Sequence, residues 1–348
     1  MRDMNQISVI IPVYNGGRYL DSCLSALCNS SSPPDEIIVV DNASTDQSVH
    51  IAQQYPVTII HCPGPSGPSA ARNVGATHAK GTILFFVDAD VVLRQDAIAR
   101  VRHTFSSQQG IAATFGSYDD QPRAINFCSQ YKNLMHHFMH QHSNPTAQTF
   151  WSGCGAIRAE VFHRIGGFNE TQFPHASIED IELGTRLHTR GYRIVLDKGL
   201  QATHLKEWTF CTLIYTDILF RALPWSKLIL EQKVLFQDLN LQRSQKISAG
   251  TVGLATILLP FSLIKPSIPF LVLFCLGIVL LLNRHLFGFW VRKKGIRFAI
   301  SAFPLHLLYF LYCGTTFGLC WVSHHAIKFF TSSYFLHRNT DVPPPPLL

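Results

Sequence analysis

Ile83-Leu84-Phe85-Phe86-Val87-Asp88-Ala89-Asp90 decides the fold, because five apolar residues run straight into two carboxylates. Continuous apolar character is what a strand needs in a parallel sheet covered on both faces; a half-exposed strand would alternate. In open α/β sheets ligands sit just beyond the carboxyl ends of the strands, so Asp88 and Asp90 fall where a site is expected. Side chains at i and i+2 of an extended segment point the same way. Two such carboxylates, together with a diphosphate, could hold a hard divalent ion, Mg²⁺ or Mn²⁺. The bland alternative makes Asp90 the cap of a helix starting near Val91.

Working outward, Ile7 to Pro12 reads as a buried strand ended by proline, and Tyr14-Asn15-Gly16-Gly17 turns into a helix from Arg18 to Cys28. Glu36 to Asp41 is a second apolar strand ending in a carboxylate, followed by Asn42-Ala43-Ser44-Thr45-Asp46 and another helix. Val57 to His61 makes a third. The proline-rich loop Pro63 to Pro68 then leads into a helix over Ser69 to Ala76. Strands alternating with helices imply βαβ units and a mostly parallel, Rossmann-like sheet.

These segments carry a family resemblance. Val9-Ile10-Ile11-Pro12-Val13-Tyr14-Asn15, Val40 to Asp46, Ala71-Arg72-Asn73 and Val87 to Asp90 arrive in the order seen in family 2 glycosyltransferases. Ser152 to Ala156, Gly166 to Glu170, Glu179 to Gly184 and Gly191 to Ile194 extend the likeness, which covers about residues 7 to 210. It implies a GT-A type nucleotide-diphospho-sugar transferase fold. By resemblance, Pro12, Tyr14 and Asn15 line the nucleotide pocket, Asp41 accepts a hydrogen bond from the base, and Arg72 lies near base and diphosphate. Asp88 faces the ribose and metal region, and Asp90 is the direct metal ligand, the metal acting as Lewis acid on the departing diphosphate. Asp180 is the general base toward an acceptor hydroxyl, Glu179 shapes its surroundings, and attack from the far face inverts the anomeric centre. His204 lies where related enzymes often put a histidine near the metal.

Bland readings stand beside these. Asp41 could form an Asx-type turn with Ser44 and Asp46, Arg72 could be a helix-surface charge, and a lone histidine is more often structural. Acids in the first turn of a helix opening at Glu179 favour its dipole, and Glu182 with Arg186 makes an i, i+4 pair. Phe127, Tyr131, Leu134 and Phe138 give the histidine-rich segment from Met135 to His142 one apolar face, which reads as a solvated amphipathic helix beside an acceptor cleft.

The chain has 348 residues, is 47% hydrophobic and 15% charged, and carries a formal net charge of +7. Basic residues are scattered, without the aromatic interleaving of a nucleic-acid surface, so a membrane surface accounts better for the excess. Nine cysteines without a C-x-x-C pair point to a reducing compartment rather than a disulfide framework or zinc site. Met1 to Gln6 is short and polar, unlike a secretory signal, so residues 1–207 are expected to form a cytoplasmic catalytic domain.

After His204 the character changes. Trp208 to Leu230 is apolar but contains Asp217, Arg221 and Lys227, and residues 208–246 read as an interfacial amphipathic segment. Residues 247–264, 268–282 and 298–322 read as three membrane spans within a region 247–323, ahead of a C-terminal tail 324–348 containing Pro343 to Pro346. Arg284, Arg292, Lys293, Lys294 and Arg297 between the last two spans place that loop in the cytoplasm, giving a multi-pass inner-membrane protein. In Arg221-Ala222-Leu223-Pro224-Trp225, Pro224 stands where polymerising synthases of the family carry a second arginine, so single-sugar transfer to a lipid or lipid-linked acceptor is expected rather than polymerisation. A sugar-nucleotide-forming nucleotidyltransferase would need a glycine-rich, basic loop that Pro12 to Gly17 does not supply.

Overall fold

The computed structural model describes residues 5–62, 64, 66–232 and 242–338. Its first compact unit takes residues 1–215, 236–242 and 284–299, and its second takes 216–235, 243–283 and 300–348. In chain order the first unit holds β1 (Ile7–Val13), α1 (Gly17–Cys28), β2 (Glu36–Asp41), α2 (Ser48–Ala52), β3 (Thr58–His61), α3 (Gly67–His78) and β4 (Ile83–Val87). There follow β5 (Val91–Leu93), α4 (Ala97–Ser107), β6 (Ile111–Tyr118), α5 (Phe127–His142), β7 (Thr146–Ala147) and β8 (Cys154–Arg158). Next come α6 (Ala159–Ile165), α7 (Glu179–Thr189) and β9 (Arg193–His204).

The strands form one sheet in the order β3-β2-β1-β4-β8-β6-β9-β5, with β7 also on β9. Pairs β1–β2, β2–β3, β1–β4 and β6–β9 are parallel, whereas β8 runs antiparallel to β4 and β6, and β5 and β7 antiparallel to β9. The expected mostly parallel sheet is therefore a mixed one. An apolar run signals burial on both faces but not direction, and β8 is buried like β4 in all but its last residue, Arg158.

Alternate residues of each central strand feed two cores. On one face Val9, Ile11, Phe85 and Val87 pack with Leu20 and Leu24 of α1 and Val101 of α4. On the other, Ile10, Val40 and Phe86 pack with Ala71 of α3, Phe162 of α6 and Leu183 and Leu187 of α7. Two glycines let helices come this close. A Cβ on Gly75 of α3 would lie 2.5 Å from the Ile10 side chain, and one on Gly184 of α7 only 2.2 Å from the Phe150 backbone nitrogen. Those two helices carry Arg72 and Asp180.

Several expectations are corrected here. Val91 opens the short strand β5, not a helix, and pairs with His204. Strand β9 runs on past Leu196 to His204, with β6 and β9 slipping register between Phe115↔Leu196 and Ser117↔Gln201. Helix α5 is buried rather than solvated: Tyr131, Leu134, His137, Phe138 and His140 are all inside. Its outer side is covered by residues 284–299, expected as a basic loop but helical up to a break at Gly295 (φ 83°). Within the first unit Trp290 is wholly buried 5.5 Å from the Tyr131 ring, Phe289 meets His137 and Phe138, and Lys293 pairs with Asp120.

Trp208, expected at a membrane headgroup boundary, is also buried in the first unit, its backbone N–H donating to Ser129 Oγ at 2.7 Å with Lys206 over its ring. Helix α8 (Phe210–Asp217) starts only beyond it and runs through a π-helical turn, Ile218–Ala222, into α9 (Leu223–Gln232). Pro224 brings no N–H to the preceding turn, which fits the widened ladder there.

The second unit, taken by itself, packs α10 (Arg243–Leu258) and α11 (Ile268–Leu282) with part of α12 (Arg284–Arg338) around Val252, Val279 and Phe310. Several of its buried polar groups pair with one another, Asn283 bonding Gln245 and Ser248, and Tyr312 O–H donating to Asp217 at 2.7 Å. Leu263 is 95% and Phe270 74% exposed, an apolar exterior unlike that of the sheet domain. Two helical stretches, Arg243–Leu263 and Arg284–Ala326, are long and apolar enough to cross a membrane; Ile268–Leu282 has 15 residues. Pro63, Pro65, residues 233–241 and the tail with Pro343 to Pro346 lie outside the described residues.

Candidate active site

The parallel register brings the ends of β1, β2 and β4 to one edge of the sheet, with Val13 opposite Asp41 and Ile10 opposite Phe86. Two non-glycine residues there adopt left-handed backbone, Asn15 (φ 50°) and Ala43 (φ 64°), a costly conformation that gathers at functional sites. Asn15 Oδ1 accepts from Thr45 N at 2.8 Å while Asn15 N donates to Ser44 Oγ at 3.0 Å, so the loops after β1 and β2 lock together. Asp41 is buried; Oδ1 accepts from Ser44 N at 3.0 Å, the Ser44 part of the alternative turn, and Oδ2 lies 3.1 Å from His61 Nδ1. Tyr14 stands 57% exposed beside them, and Pro12 is half-buried in β1.

Asp88-Ala89-Asp90 is a tight turn, Val91 N donating to Asp88 O at 3.0 Å, rather than an extended segment. The two carboxylates accordingly have different partners. Asp88 Oδ1 takes Arg72 Nη2 at 2.7 Å, and Arg72 Nη1 reaches Glu179 Oε1 at 2.9 Å. Arg72 is buried, not a helix-surface charge; burial works against its cation, but Asp88 and Glu179 prevail and raise its pKa. Burial pushes the Asp88 carboxyl up; Arg72 opposes the rise and Asp90 adds to it.

Asp90 faces the other way. Its Oδ2 lies 3.4 Å from His204 Nε2, because β5 pairs with the end of β9 and Leu205 N donates to Asp90 O. Burial acts upward on this carboxyl, while the charge of a protonated His204, and after it Lys206, would draw it below the usual range. His204 Nδ1 sits 2.9 Å from Asn133 Oδ1 of α5, and the Tyr118 ring stacks on the imidazole at 4.3 Å and 11°.

Asp180 stands in the first turn of α7. Its Oδ2 accepts from Ser152 N at 3.1 Å and Oδ1 from Ile181 N at 2.8 Å. Burial first, and then the neighbouring Glu179 carboxylate, push it up to about 7 against the Ser152 N–H. A carboxylate titrating there suits proton abstraction near neutrality. Glu179 is tied up by Arg72 and by Ser177 N at 2.7 Å, and Glu182 pairs with Arg186 as the spacing implies.

The tertiary structure thus brings Arg72, Asp88, Glu179 and Asp180 into one charged group, and Asp90 and His204 into a pair at the same turn. Pro12, Tyr14, Asn15 and Asp41 form a neighbouring group along the sheet edge. Sequence reasoning missed Asn133 and Tyr118, and named Ser152 in a motif without giving it a role. Asn133 carries no motif, and only its place one helical turn before His137 on a histidine-rich helix marks it.

Strand ends lined with acids on a mixed α/β sheet define a nucleotide-diphospho-sugar transferase fold. Residues 8–166 match the family model Glycosyl transferase family 2, and the chain carries a glycosyltransferase domain of that family. An uncharacterized glycosyltransferase of Haemophilus influenzae is 33% identical over 121 residues, 33% of this chain and 48% of its own length. Poly(ribitol-phosphate) beta-glucosyltransferase of Bacillus spizizenii is 37% identical over 119 residues, 32% of this chain and 19% of its own. The matched stretch spans less than half of either relative. Among solved structures, S. aureus TarS 1-349 in complex with UDP-GlcNAc gives a TM-score of 0.51 at 17% identity, covering 84% of this chain and 89% of its own. Mannosyltransferase PcManGT from Pyrobaculum calidifontis, in complex with GDP-Man and Mn²⁺, gives 0.50 at 17%, covering 90% and 86%. At such identities these two establish the shared fold.

Proposed function

We propose that this protein is a membrane-associated, metal-assisted, inverting glycosyltransferase moving a single sugar from a nucleotide-diphospho-sugar to a lipid or lipid-linked acceptor. The observation that carries the reading is the pairing of Asp90 with His204 beside the high-pKa carboxyl of Asp180. One group suits a cation at the diphosphate, the other a proton from the acceptor.

The donor set fits a divalent ion. Among the described residues no three His, Cys, Asp or Glu side chains converge on one point. Asp90 and His204 leave other positions for diphosphate oxygens and water, the usual manner of Mg²⁺ with phosphates. Asp88 is spent on Arg72, so Asp90 and His204 are the residues that would hold the ion. When bound, it neutralises charge on the leaving diphosphate. Asp41 and the interlocked loops at Asn15 and Thr45 receive the nucleoside, Tyr14 being exposed enough to lie along it. Asp180, fixed by Ser152 N–H, takes the acceptor proton; Glu179 and Arg72 hold the start of α7 in place. The apolar exterior of the second unit and the two long apolar helical stretches support membrane association, and the sheet domain is read as cytoplasmic. Pro224 in place of a second arginine favours single transfer.

The test is nucleotide-sugar turnover by the full chain in lipid vesicles, across UDP-, GDP- and dTDP-sugars, with and without Mn²⁺. Lipid-linked, soluble and polyol-phosphate acceptors form separate arms, since one relative is a poly(ribitol-phosphate) transferase. Metal-stimulated transfer preferring a lipid-linked acceptor is expected. Transfer unaffected by chelator, or equal on soluble acceptors, overturns the metal or the membrane part respectively.

A further inference from the structure

We propose that Asn133 is a positioning residue that makes His204 competent to bind a metal ion, by fixing which ring nitrogen carries the proton; this rests on the metal-assisted reading above. Asn133 lies within α5 and is 1% exposed, with Oδ1 2.9 Å from His204 Nδ1. An amide oxygen only accepts, so Nδ1 must carry the hydrogen and donate it. A neutral imidazole has one N–H, and the lone pair therefore sits on Nε2.

Nε2 in turn faces Asp90 Oδ2 at 3.4 Å. A carboxylate oxygen also only accepts, so two electron-rich atoms confront each other across a gap that a cation balances. A protonated imidazole donating into that gap would draw in to about 2.7–2.9 Å. At 3.4 Å the two atoms are near enough that both would contact one divalent ion held between them. Turning the Asn133 amide round would reverse everything: its NH₂ would donate to Nδ1, the proton would move to Nε2, and the lone pair facing Asp90 would vanish.

Two further observations point to the same role. Tyr118, stacked at 4.3 Å and 11°, fixes the plane of the ring while Asn133 fixes its proton. Asn133 Nδ2 is buried without a hydrogen-bond partner among the described residues. Such an amide weakens a helix core, so stability alone does not account for it; its oxygen does. Hydrogen-bonded groups behind a metal-binding histidine typically change metal affinity 10–100-fold when removed.

The experiment uses the full chain in detergent or vesicles. In metal-free protein labelled with ¹⁵N at histidine, nitrogen–proton correlation spectra read the His204 tautomer, assigned by loss of its signals in His204→Gln. Mn²⁺ titration in the presence of UDP, followed by electron paramagnetic resonance, then compares wild type with Asn133→Leu and Asn133→Asp. Expected results are an Nδ1–H tautomer, about 10–100-fold weaker Mn²⁺ binding in Asn133→Leu with UDP affinity in chelator unchanged, and near wild-type Mn²⁺ binding in Asn133→Asp, which keeps the acceptor. An Nε2–H tautomer, equal Mn²⁺ affinity in Asn133→Leu, or an Asn133→Asp variant as weak as the leucine overturns the proposal. Should the leucine variant fail to fold, the tautomer and the aspartate variant still decide. If wild type transfers no sugar yet the tautomer and Mn²⁺ results hold, the functional reading falls and the role of Asn133 stands.

Discussion

Asp88 and Asp90 are two residues apart in one turn, yet their surroundings differ in kind. Asp88 belongs to a closed, charge-compensated node, with Arg72 bridging it to Glu179 in the interior. Asp90 instead meets one partner, His204, at 3.4 Å, and is the carboxylate to which the proposed metal is assigned. The difference teaches that spacing in a D-x-D motif does not assign equal roles: one carboxylate holds α3 and α7 to the end of β4, and the other is left for ligand.

The strongest way to break this contrast is to remove the cation of the closed node. Arg72→Met leaves the buried Glu179 and the half-buried Asp88 without their cation, a loss of up to about 3–5 kcal/mol in stability, and adding Glu179→Gln recovers part of it. Denaturant midpoints check this; an unchanged midpoint in the single variant would remove the structural role assigned to the node. On the open side Asp90→Ala should behave oppositely, its midpoint close to wild type while metal-dependent turnover falls roughly 10²–10³-fold. Kinetics with and without Mn²⁺ decide it, and retained turnover would return Asp90 to a merely local role.

Asp180→Asn sharpens the comparison from the acceptor side. Turnover should drop on the order of 10²-fold or more with donor affinity preserved, because the amide keeps shape but cannot take a proton. The smallest effect is the pH dependence. Burial raises Asp180 from 3.8 to about 7, so the folded protein holds a proton that the base must have lost. The value of kcat/KM should climb about tenfold per pH unit up to about 7 and then level off. The sign for stability is opposite: the folded state binds the proton more tightly than the unfolded one between pH 3.8 and 7, so this contribution is present at low pH and is lost as pH rises toward 7. Asp180→Asn should flatten both trends; a wild-type rate that does not fall below pH 7 assigns the proton transfer elsewhere.

Much of the first half of the sheet was legible because its signals are local. Apolar runs in β1, β2 and β4 demand burial on both faces, Pro12 and the Asn15-Gly16-Gly17 turn punctuate them, and each run ends near the polar residue it delivers to the edge. The second half was less legible. Direction in β8, the continuation of β9 through its register slip and the burial of α5 all depend on partners far along the chain. Residues 284–299 look like a basic loop because their charges are conspicuous; Leu286, Phe289 and Trp290 turn inward only because α5 offers them an apolar face.

By itself the sequence determined that acids stand at strand ends of an α/β domain of the family 2 glycosyltransferase kind, and that an apolar helical region follows. Only the tertiary structure decided what each acid meets. Arg72 and Glu179 are 107 positions apart, and His204 and Asn133 are 71. Such pairs come together through helix packing allowed by Gly75 and Gly184 and through the slip of β9 on β6, which sets His204 against Asp90. Hydrophobic pattern is a property of neighbouring residues and survives in the sequence. Electrostatic pairing is a property of position in space, and it exists only once register and packing are fixed.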